Sequence, residues 1–169
     1  MSLIVNQGNE AKERDVYETE VILHDQRYHN GEWQLPDYAT TGSAAIDIRA
    51  AITETLVIPA GETRMVPSGL ALHISNSEFA GLLLPRSGLG TKKGIVLGNL
   101  VGLIDSDYQG EMGVPLWNRN HDEDVVIEPG DRVAQFMIIP VVAIKLKPVD
   151  VFTMGSIRGA GAFGHTGVK

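Results

Sequence analysis

Residues 82–111 of the chain read LLLPRSGLGTKKGIVLGNLVGLIDSDYQGE. The segment contains the short apolar runs 82–84 and 95–97, and proline or glycine bounds each of them. Apolar runs this short, separated by turn residues, are typical of buried strands, because an amphipathic helix needs a longer stretch to cover a core. The segment therefore predicts short strands joined by tight turns.

The same pattern continues on both sides of this segment, from Val21 onward. Nineteen glycines and eight prolines interrupt the apolar runs. This spacing favours an all-β sandwich or barrel over a βαβ protein. The only helical turn that the pattern predicts lies near residues 77–80. The other predicted strands contain residues 46–48, 56–58, 70–74, 125–127 and 136–139.

The composition narrows the classes of function. The chain has 169 residues, 43% hydrophobic and 21% charged, which predicts one globular domain. It has no cysteine, so disulfides and thiolate-bound zinc are excluded, and its five histidines lack the spacing of metal ligands. A net charge of −7 disfavours a nucleic-acid polymer as the main ligand, because proteins that bind such polymers carry a basic face.

Three segments differ in character. Residues 1–20 are mostly polar and charged, which predicts a flexible leader, and residues 21–154 contain the predicted strands. Residues 155–169 are rich in glycine and predict a mobile C-terminal arm. No apolar run approaches the length of a membrane span and no secretory signal is present, so we expect no membrane partner and a cytoplasmic location.

The arm contains a pattern with two interpretations. Residues 159–164, GAGAFG, match the dinucleotide-binding pattern G-x-G-x-x-G, but that pattern needs a βαβ unit and only five residues follow it here. The glycines are either incidental features of a disordered tail, or they let the backbone approach a ligand that Arg158 and Phe163 also contact.

A second glycine-rich stretch, residues 87–94, follows Arg86. It lacks the G-K-[ST] ending of a P-loop. One interpretation is a phosphate held by the Ser87 hydroxyl and nearby N–H groups. The other is a hairpin turn with Lys92 and Lys93 in solvent.

Asp105, Ser106 and Asp107 directly precede Tyr108. The two carboxylates are consistent with a metal-chelating pair, with an ordinary turn, or with one catalytic and one structural carboxylate. An arginine that suits phosphate, a carboxylate that suits activation of a nucleophile and an aromatic wall lie within one segment. Together they indicate a site that hydrolyses nucleotides.

Five ordered motifs extend over roughly residues 21–167: GSAAIDIRA, PRSGLG, GNLVGLIDSDYQGE, GDRVAQ and RGAGAFGHTG. On these motifs the chain resembles the homotrimeric, all-β dUTPases. The resemblance implies a jelly-roll-like β-sandwich or distorted barrel with a flexible arm, and active sites shared between subunits. It also implies hydrolysis of dUTP to dUMP and pyrophosphate with Mg²⁺. That reaction supplies dUMP for thymidylate synthesis and keeps uracil out of DNA.

The resemblance also assigns residues to the nucleoside. Asp105 matches the carboxylate that deprotonates the water attacking the α-phosphorus. Tyr108 matches the wall under the deoxyribose, which leaves no room for a 2′-hydroxyl. The residues that match the hairpin reading the uracil edge are Asn99, Leu103, Ile104 and Gly113.

Other matches concern the phosphates, the metal and the closing arm. Asp47 matches an aspartate that orders water around Mg²⁺, and Phe163 matches a ring that closes over uracil. The residues that match phosphate contacts are Arg86, Ser87 and Gly88 from a neighbouring subunit, together with Gln135 and Arg158.

Two positions depart from the family pattern. Ala45 and Ala162 stand where the family often has glycine, and each adds a methyl group near closely packed backbone. Neither change removes a charge or a polar group, so hydrolysis remains the prediction. The alternatives are a dCTP deaminase-like enzyme of the same fold and a non-catalytic protein-binding module controlled by nucleotide.

Overall fold

The computed structural model describes residues 16–156 and 159–160. Strands dominate these residues, which confirms the prediction of an all-β fold. The strands are β1 (Glu20–Leu23), β2 (Ile46–Arg49), β3 (Leu56–Ile58), β4 (Thr63–His73), β5 (Phe79–Pro85), β6 (Ile95–Leu97), β7 (Gly102–Ile104), β8 (Glu111–Asn118), β9 (Val125–Ile127) and β10 (Arg132–Pro140), and the two short helices are α1 (Gln26–His29) and α2 (Ser87–Lys92).

The described strands form two four-stranded antiparallel sheets and a two-stranded ribbon. The sheets have the orders β1-β4-β8-β6 and β2-β10-β5-β7, and β3 pairs with β9. Strands that are consecutive in the chain belong to different sheets. This alternation agrees with the expected jelly-roll-like sandwich, in which the chain crosses repeatedly between two facing sheets.

The core lies between the two large sheets. In β8 the side chains of Met112, Val114 and Leu116 are buried, whereas Gly113 between them is exposed. This period of two places one face of the strand against the core. Both sheets contribute to one apolar cluster, which includes Ile48, Val66, Leu83, Val114 and Phe136.

A close contact at Gly81 holds the sheet that carries the site. A Cβ atom at Gly81 would come within 2.8 Å of the buried Phe136 ring and 3.2 Å of the Ile104 Cβ. Because Phe136 is packed in the core, its ring cannot move aside without cost. Glycine therefore lets the ring lie across β5 beside the pair Gly81–Ile104, where β5 meets β7.

The helical turn predicted near residues 77–80 is wrong. Ser77 and Glu78 form a turn and Phe79 begins β5. The Asn76 side chain accepts a hydrogen bond from the Glu78 N–H at 2.9 Å, and the Asn76 carbonyl accepts one from Phe79 N–H at 3.0 Å. Such local bonds from asparagine stabilise a turn in competition with a helix.

The first helix lies where the pattern predicted none. The Asp25 carboxylate caps α1 by accepting the Arg27 N–H at 2.9 Å. The Arg27 guanidinium also binds this carboxylate and lies 3.9 Å from the centre of the Trp33 ring. Hydrogen bonds from Arg27 hold the pKa of the Asp25 carboxyl below its usual range, although burial opposes the shift. Asp25 therefore stays ionised and keeps the cap.

The second helix replaces the hairpin turn considered for residues 87–94. In α2 the Gly90 N–H donates to the Arg86 carbonyl, and the Lys93 N–H donates to Leu89. Leu89 packs against the core, which holds the turn on the sandwich. Lys92 and Lys93 are exposed, as predicted. Neither helix in the described part of the chain is long and apolar enough to cross a membrane.

The described strands extend from Glu20 to Pro140. Tyr17, inside the predicted leader, donates its hydroxyl to the Ile74 carbonyl at 2.6 Å. Strand β1 starts at Glu20, just before the predicted domain start at Val21. At the other end β10 stops at Pro140. Residues 141–156 form no strand or helix, and several apolar side chains in them are exposed: Val142, Ile144, Leu146, Val151, Phe152 and Met154.

Asn118 is the buried polar residue whose loss we expect to be costly. Its side-chain amide donates to the carbonyls of Ile58 at 2.9 Å and Glu123 at 2.8 Å, and it is fully buried. Asn118→Ala removes both donors, so we expect the free energy of unfolding to fall by about 1–3 kcal/mol in urea titration. Asn76→Ala, at an exposed turn, is the control and should cost about 1 kcal/mol or less. An equal loss of unfolding free energy in the two variants would contradict the expectation that Asn118 is the more costly residue to replace.

Candidate active site

A cavity of about 210 Å³ lies beside β7 and the start of β8. It brings together Asp105, Tyr108 and the four residues that the resemblance assigns to the hairpin reading the uracil edge. Three further lining residues were not predicted, although Gly102 and Met112 adjoin predicted positions. The lining residues are Leu83, Asn99, Gly102, Leu103, Ile104, Asp105, Tyr108, Met112 and Gly113.

All three residues of strand β7 line this cavity. It is the last strand of its sheet, so one row of its N–H and C=O groups has no strand partner among the described residues. Its other side pairs with β5, where Leu103 lies opposite Leu82. Backbone donors and acceptors on a well-registered edge suit a planar ligand whose own edge carries donors and acceptors.

Asp105 comes directly after β7 and begins a turn. The Tyr108 N–H donates to the Asp105 carbonyl at 3.2 Å, and the Ser106 carbonyl accepts from the Ser75 N–H at 2.8 Å. These bonds position the turn on the loop after β4. Both aspartates are exposed, and of the two it is Asp105 that lines the cavity. The arrangement favours one carboxylate in the site over a chelating pair.

Tyr108 closes one side of the cavity. Its hydroxyl donates to the Glu111 carbonyl at 3.0 Å. The side chain is 44% exposed, so one part of the ring remains open to a ligand. An aromatic ring held at its polar tip forms a flat apolar wall in a defined position.

A second group of predicted residues surrounds Asp47. Its carboxylate accepts from Arg86 Nε at 2.9 Å and from Arg132 Nη1 at 3.1 Å. Arg86 Nη1 also donates to the Arg132 carbonyl at 2.7 Å. Arg132 was not among the predicted residues, although it lies in the quoted motif GDRVAQ. Two guanidinium groups that share one carboxylate leave an excess positive charge, which suits an anion.

Gln135 and Asp47 face each other across β10 and β2. The Gln135 amide donates to the Pro85 carbonyl at 3.0 Å, which links it to the residue before Arg86. A cavity of about 230 Å³ adjoins this pair. Ala45, one of the two departures from the family pattern, lines this cavity together with Asp37, Ala39, Ser43 and Ala44.

The two groups lie at opposite ends of β5. Because Gly81 pairs with Ile104, Asp105 lies near Ala80, at the start of β5, whereas Arg86 follows the last residue of the strand. Six residues of extended strand span roughly 20 Å. A single subunit therefore does not bring Arg86 and Asp105 to the same phosphate group. Ser87 and Gly88 are exposed beside Arg86, and open space surrounds the Cα of Gly88.

The described residues contain no group of three or more His, Asp or Glu side chains that could hold a metal ion. A larger groove of about 440 Å³ lies beneath the N-terminal segment, between Tyr17, Tyr38 and Phe79, and its lining is mainly apolar. The described residues that line this groove include no arginine, lysine or histidine and one carboxylate, Asp37. Arg158 and Phe163, predicted to close over the ligand, lie outside the described residues.

We expect the ion pair at Asp47 to contribute little to stability. The side chains of Asp47 and Arg86 are 28% and 30% exposed, so water screens their attraction. Asp47→Asn should change the free energy of unfolding by less than about 1 kcal/mol in urea titration. Asp25→Asn is the comparison, because its partner Arg27 is more buried and it caps a helix; it should cost more. A larger loss at Asp47 would contradict the expectation.

Comparison with known proteins identifies the family of the chain. The family model for dUTPase matches residues 31–167. The deoxyuridine 5′-triphosphate nucleotidohydrolase of Acinetobacter baylyi is 52% identical over 150 residues, which cover 89% of this chain and 98% of the relative. The protein of the same name from Acinetobacter baumannii (strain AYE) is 55% identical over 136 residues, covering 80% of this chain and 89% of the relative.

Solved structures show the same similarity. The dUTPase of Staphylococcus bacteriophage 80alpha with dUPNHPP aligns with a TM-score of 0.78 and 27% identity, over 90% of this chain and 100% of that chain. A mutant dUTPase from phage phi11 of S. aureus aligns with a TM-score of 0.70 over 81% of this chain and 99% of that chain; at 24% identity it shows the fold alone. By family match, identity and fold, the chain belongs to the dUTPase family.

Proposed function

We propose that the chain hydrolyses dUTP to dUMP and pyrophosphate, with Asp105 activating the water that attacks the α-phosphorus. The observation that carries the proposal is the position of Asp105. Its carboxylate lines a cavity whose other walls are the edge of β7 and the ring of Tyr108. A nucleoside held by these walls would place its 5′-phosphate chain near the carboxylate, which is the geometry that general-base catalysis needs.

Recognition of uracil follows from the backbone wall. Uracil and cytosine differ in the donors and acceptors on their edges, so a backbone edge that matches uracil leaves buried polar groups unpaired with cytosine. Thymine carries an additional methyl group, which a narrow cavity excludes by contact. Asn99, Leu103, Ile104 and Gly113 line the part of the cavity that would hold the base.

Tyr108 would act on the sugar. Its ring packs against the deoxyribose and excludes the 2′-hydroxyl of a ribonucleotide by steric contact. The phosphate contacts would come from Arg86, Ser87, Gly88 and Gln135, with Arg158 and Phe163 completing the closed site. Exclusion of water by a closing arm strengthens every charged contact to the triphosphate.

We also propose Mg²⁺ as the cofactor. The donor set fits this ion, because Mg²⁺ keeps several waters and binds mainly through substrate phosphates rather than through an all-protein cage. Asp47, with Gln135 opposite it, would hold the water shell. When bound, Mg²⁺ neutralises part of the phosphate charge. In support, the mutant phage phi11 dUTPase coordinates a structural Mg(II) ion.

The curated relatives are named as nucleotidohydrolases, which favours hydrolysis over the deaminase alternative. Intact candidates for the base and the phosphate contacts also argue against a non-catalytic module. The reaction would supply dUMP for thymidylate synthesis and keep uracil out of DNA. We place it in the cytoplasm, and the absence of cysteine is compatible with a reducing compartment.

Asp105→Asn tests the role of the carboxylate. The amide cannot accept the proton of the attacking water, so kcat for dUTP should fall by about 10²-fold or more while nucleotide binding persists. Release of pyrophosphate measures kcat, and calorimetry with a non-hydrolysable analogue measures binding. Asp107→Asn, two residues along the same turn, is the matched control and should retain turnover. Near-normal turnover in Asp105→Asn would refute the assignment.

We further propose that three copies of the chain assemble with shared sites. Two observations support it: Arg86 and Asp105 lie at opposite ends of β5, and apolar side chains in residues 141–154 are exposed in the single subunit. A neighbouring subunit would bring its Arg86 to the phosphates bound near Asp105, and burial of the apolar segment would stabilise the assembly.

Complementation tests the sharing of sites. Arg86→Ala and Asp105→Asn should each be inactive alone. When the two variants are co-expressed with different tags and mixed trimers are purified, about one site in three should combine both intact residues and recover activity. Trimers that mix Asp105→Asn with an Arg86→Ala/Asp105→Asn double variant are the control and should stay inactive. No recovery in the first mixture would show that each subunit uses its own Arg86.

A further inference from the structure

The ring of Tyr108 lies directly against the backbone of Gly110. A Cβ atom built on Gly110 would come within 2.7 Å of Tyr108 Cζ and 3.1 Å of Cε2, and still closer to the hydroxyl oxygen. Separations under about 3 Å are not tolerated between carbon atoms in a packed structure. The lack of a side chain at Gly110 is therefore what allows the ring to occupy its observed place.

The φ angle of Gly110 does not require glycine. Its φ is not among the positive values found at other glycines of the chain, such as Gly69 and Gly94, so an alanine fits its backbone conformation. All three of the nearest atoms to the built Cβ belong to the Tyr108 side chain. A methyl group here would therefore displace the tyrosine ring and leave the core in place.

The observed ring position is also held from its other end. The Tyr108 hydroxyl donates to the Glu111 carbonyl at 3.0 Å. The Glu111 carboxylate in turn accepts the Gly69 N–H at 2.7 Å, beside the register shift between β4 and β8. Glu111 also pairs with Ala71 of β4. The Tyr108 hydroxyl is thus bonded to Glu111, and Glu111 is fixed to β4 by its contacts with Gly69 and Ala71.

We propose that Gly110 is the positioning residue that sets the selection of deoxyribose over ribose. Gly110 acts through Tyr108. The ring packs against the Gly110 backbone, and its hydroxyl is bonded to the Glu111 carbonyl. These two contacts hold the ring at a fixed distance from the sugar. A wall that excludes a single hydroxyl group must be placed within a fraction of an ångström, so displacement by one methyl group is enough to degrade selection. The inference rests on the proposed dUTP hydrolysis.

Gly110→Ala tests it, with kcat/KM measured for dUTP and for UTP in the full-length protein. The ratio of the two values should fall by roughly tenfold or more, because the ring no longer fits the deoxyribose and no longer excludes the 2′-hydroxyl. KM for dUTP should rise more than kcat falls, since the water-activating carboxylate is untouched. A ratio within twofold of wild type would overturn the proposal.

A double-mutant cycle separates this role from a general structural one. In the background Tyr108→Ala, the change Gly110→Ala should have no further effect on the ratio, because its methyl group has no ring to displace. An undiminished effect in that background would overturn the proposal.

A second variant decides the matter if Gly110→Ala fails to fold. Tyr108→Phe keeps the ring and the glycine but removes the bond to the Glu111 carbonyl. The ratio of kcat/KM for dUTP to kcat/KM for UTP should fall in this variant too, although by less than in Tyr108→Ala. An unchanged ratio would overturn the proposal. Absence of dUTP hydrolysis by the wild-type protein would instead refute the proposed function, and this inference with it.

Discussion

The pairing of β5 with strands on both of its sides is the constraint on which the site depends. The strand pairs with β10 along its whole length and with β7 at residues 81–83. Gly81 permits this arrangement, because a side chain there would collide with the buried ring of Phe136. The turn of Asp105 thus lies beside the start of β5, and Arg86 lies beyond its end. The separation of these two groups is a property of strand geometry, and it is the physical reason to expect a site shared between subunits.

In the proposed function, the open edge of β7 would bind the base. An open edge in most sheets invites association with other chains, because its peptide groups have no partners. Here the edge is only three residues long and is followed at once by the turn of Asp105. The short unpaired row can serve a base-sized ligand and offers little to a long strand. Selectivity for the base would thus come from main-chain groups, whose positions the sheet maintains.

Several features could be predicted from the sequence, and others could not. Short apolar runs between glycines and prolines predicted the strands correctly, because the pattern of burial in a strand is local. The helices were missed because each rests on a particular contact: Asp25 accepts the Arg27 N–H at the start of α1, and Leu89 packs α2 against the core. Arg132 was not predicted, because its ion pair with Asp47 joins residues that are distant in sequence.

The amino-acid sequence by itself determined the all-β class and the family and indicated the residues that we propose for the chemistry, since these depend on residue types and their order. Only the tertiary structure decided how those residues are grouped. Strand pairing placed Asn99, Asp105 and Gly113 around one cavity and put Asp47, Arg86 and Arg132 in a separate cluster. It also showed that Gly110 touches the Tyr108 ring. Distances between residues far apart in the chain arise from packing and register, and no local pattern encodes them.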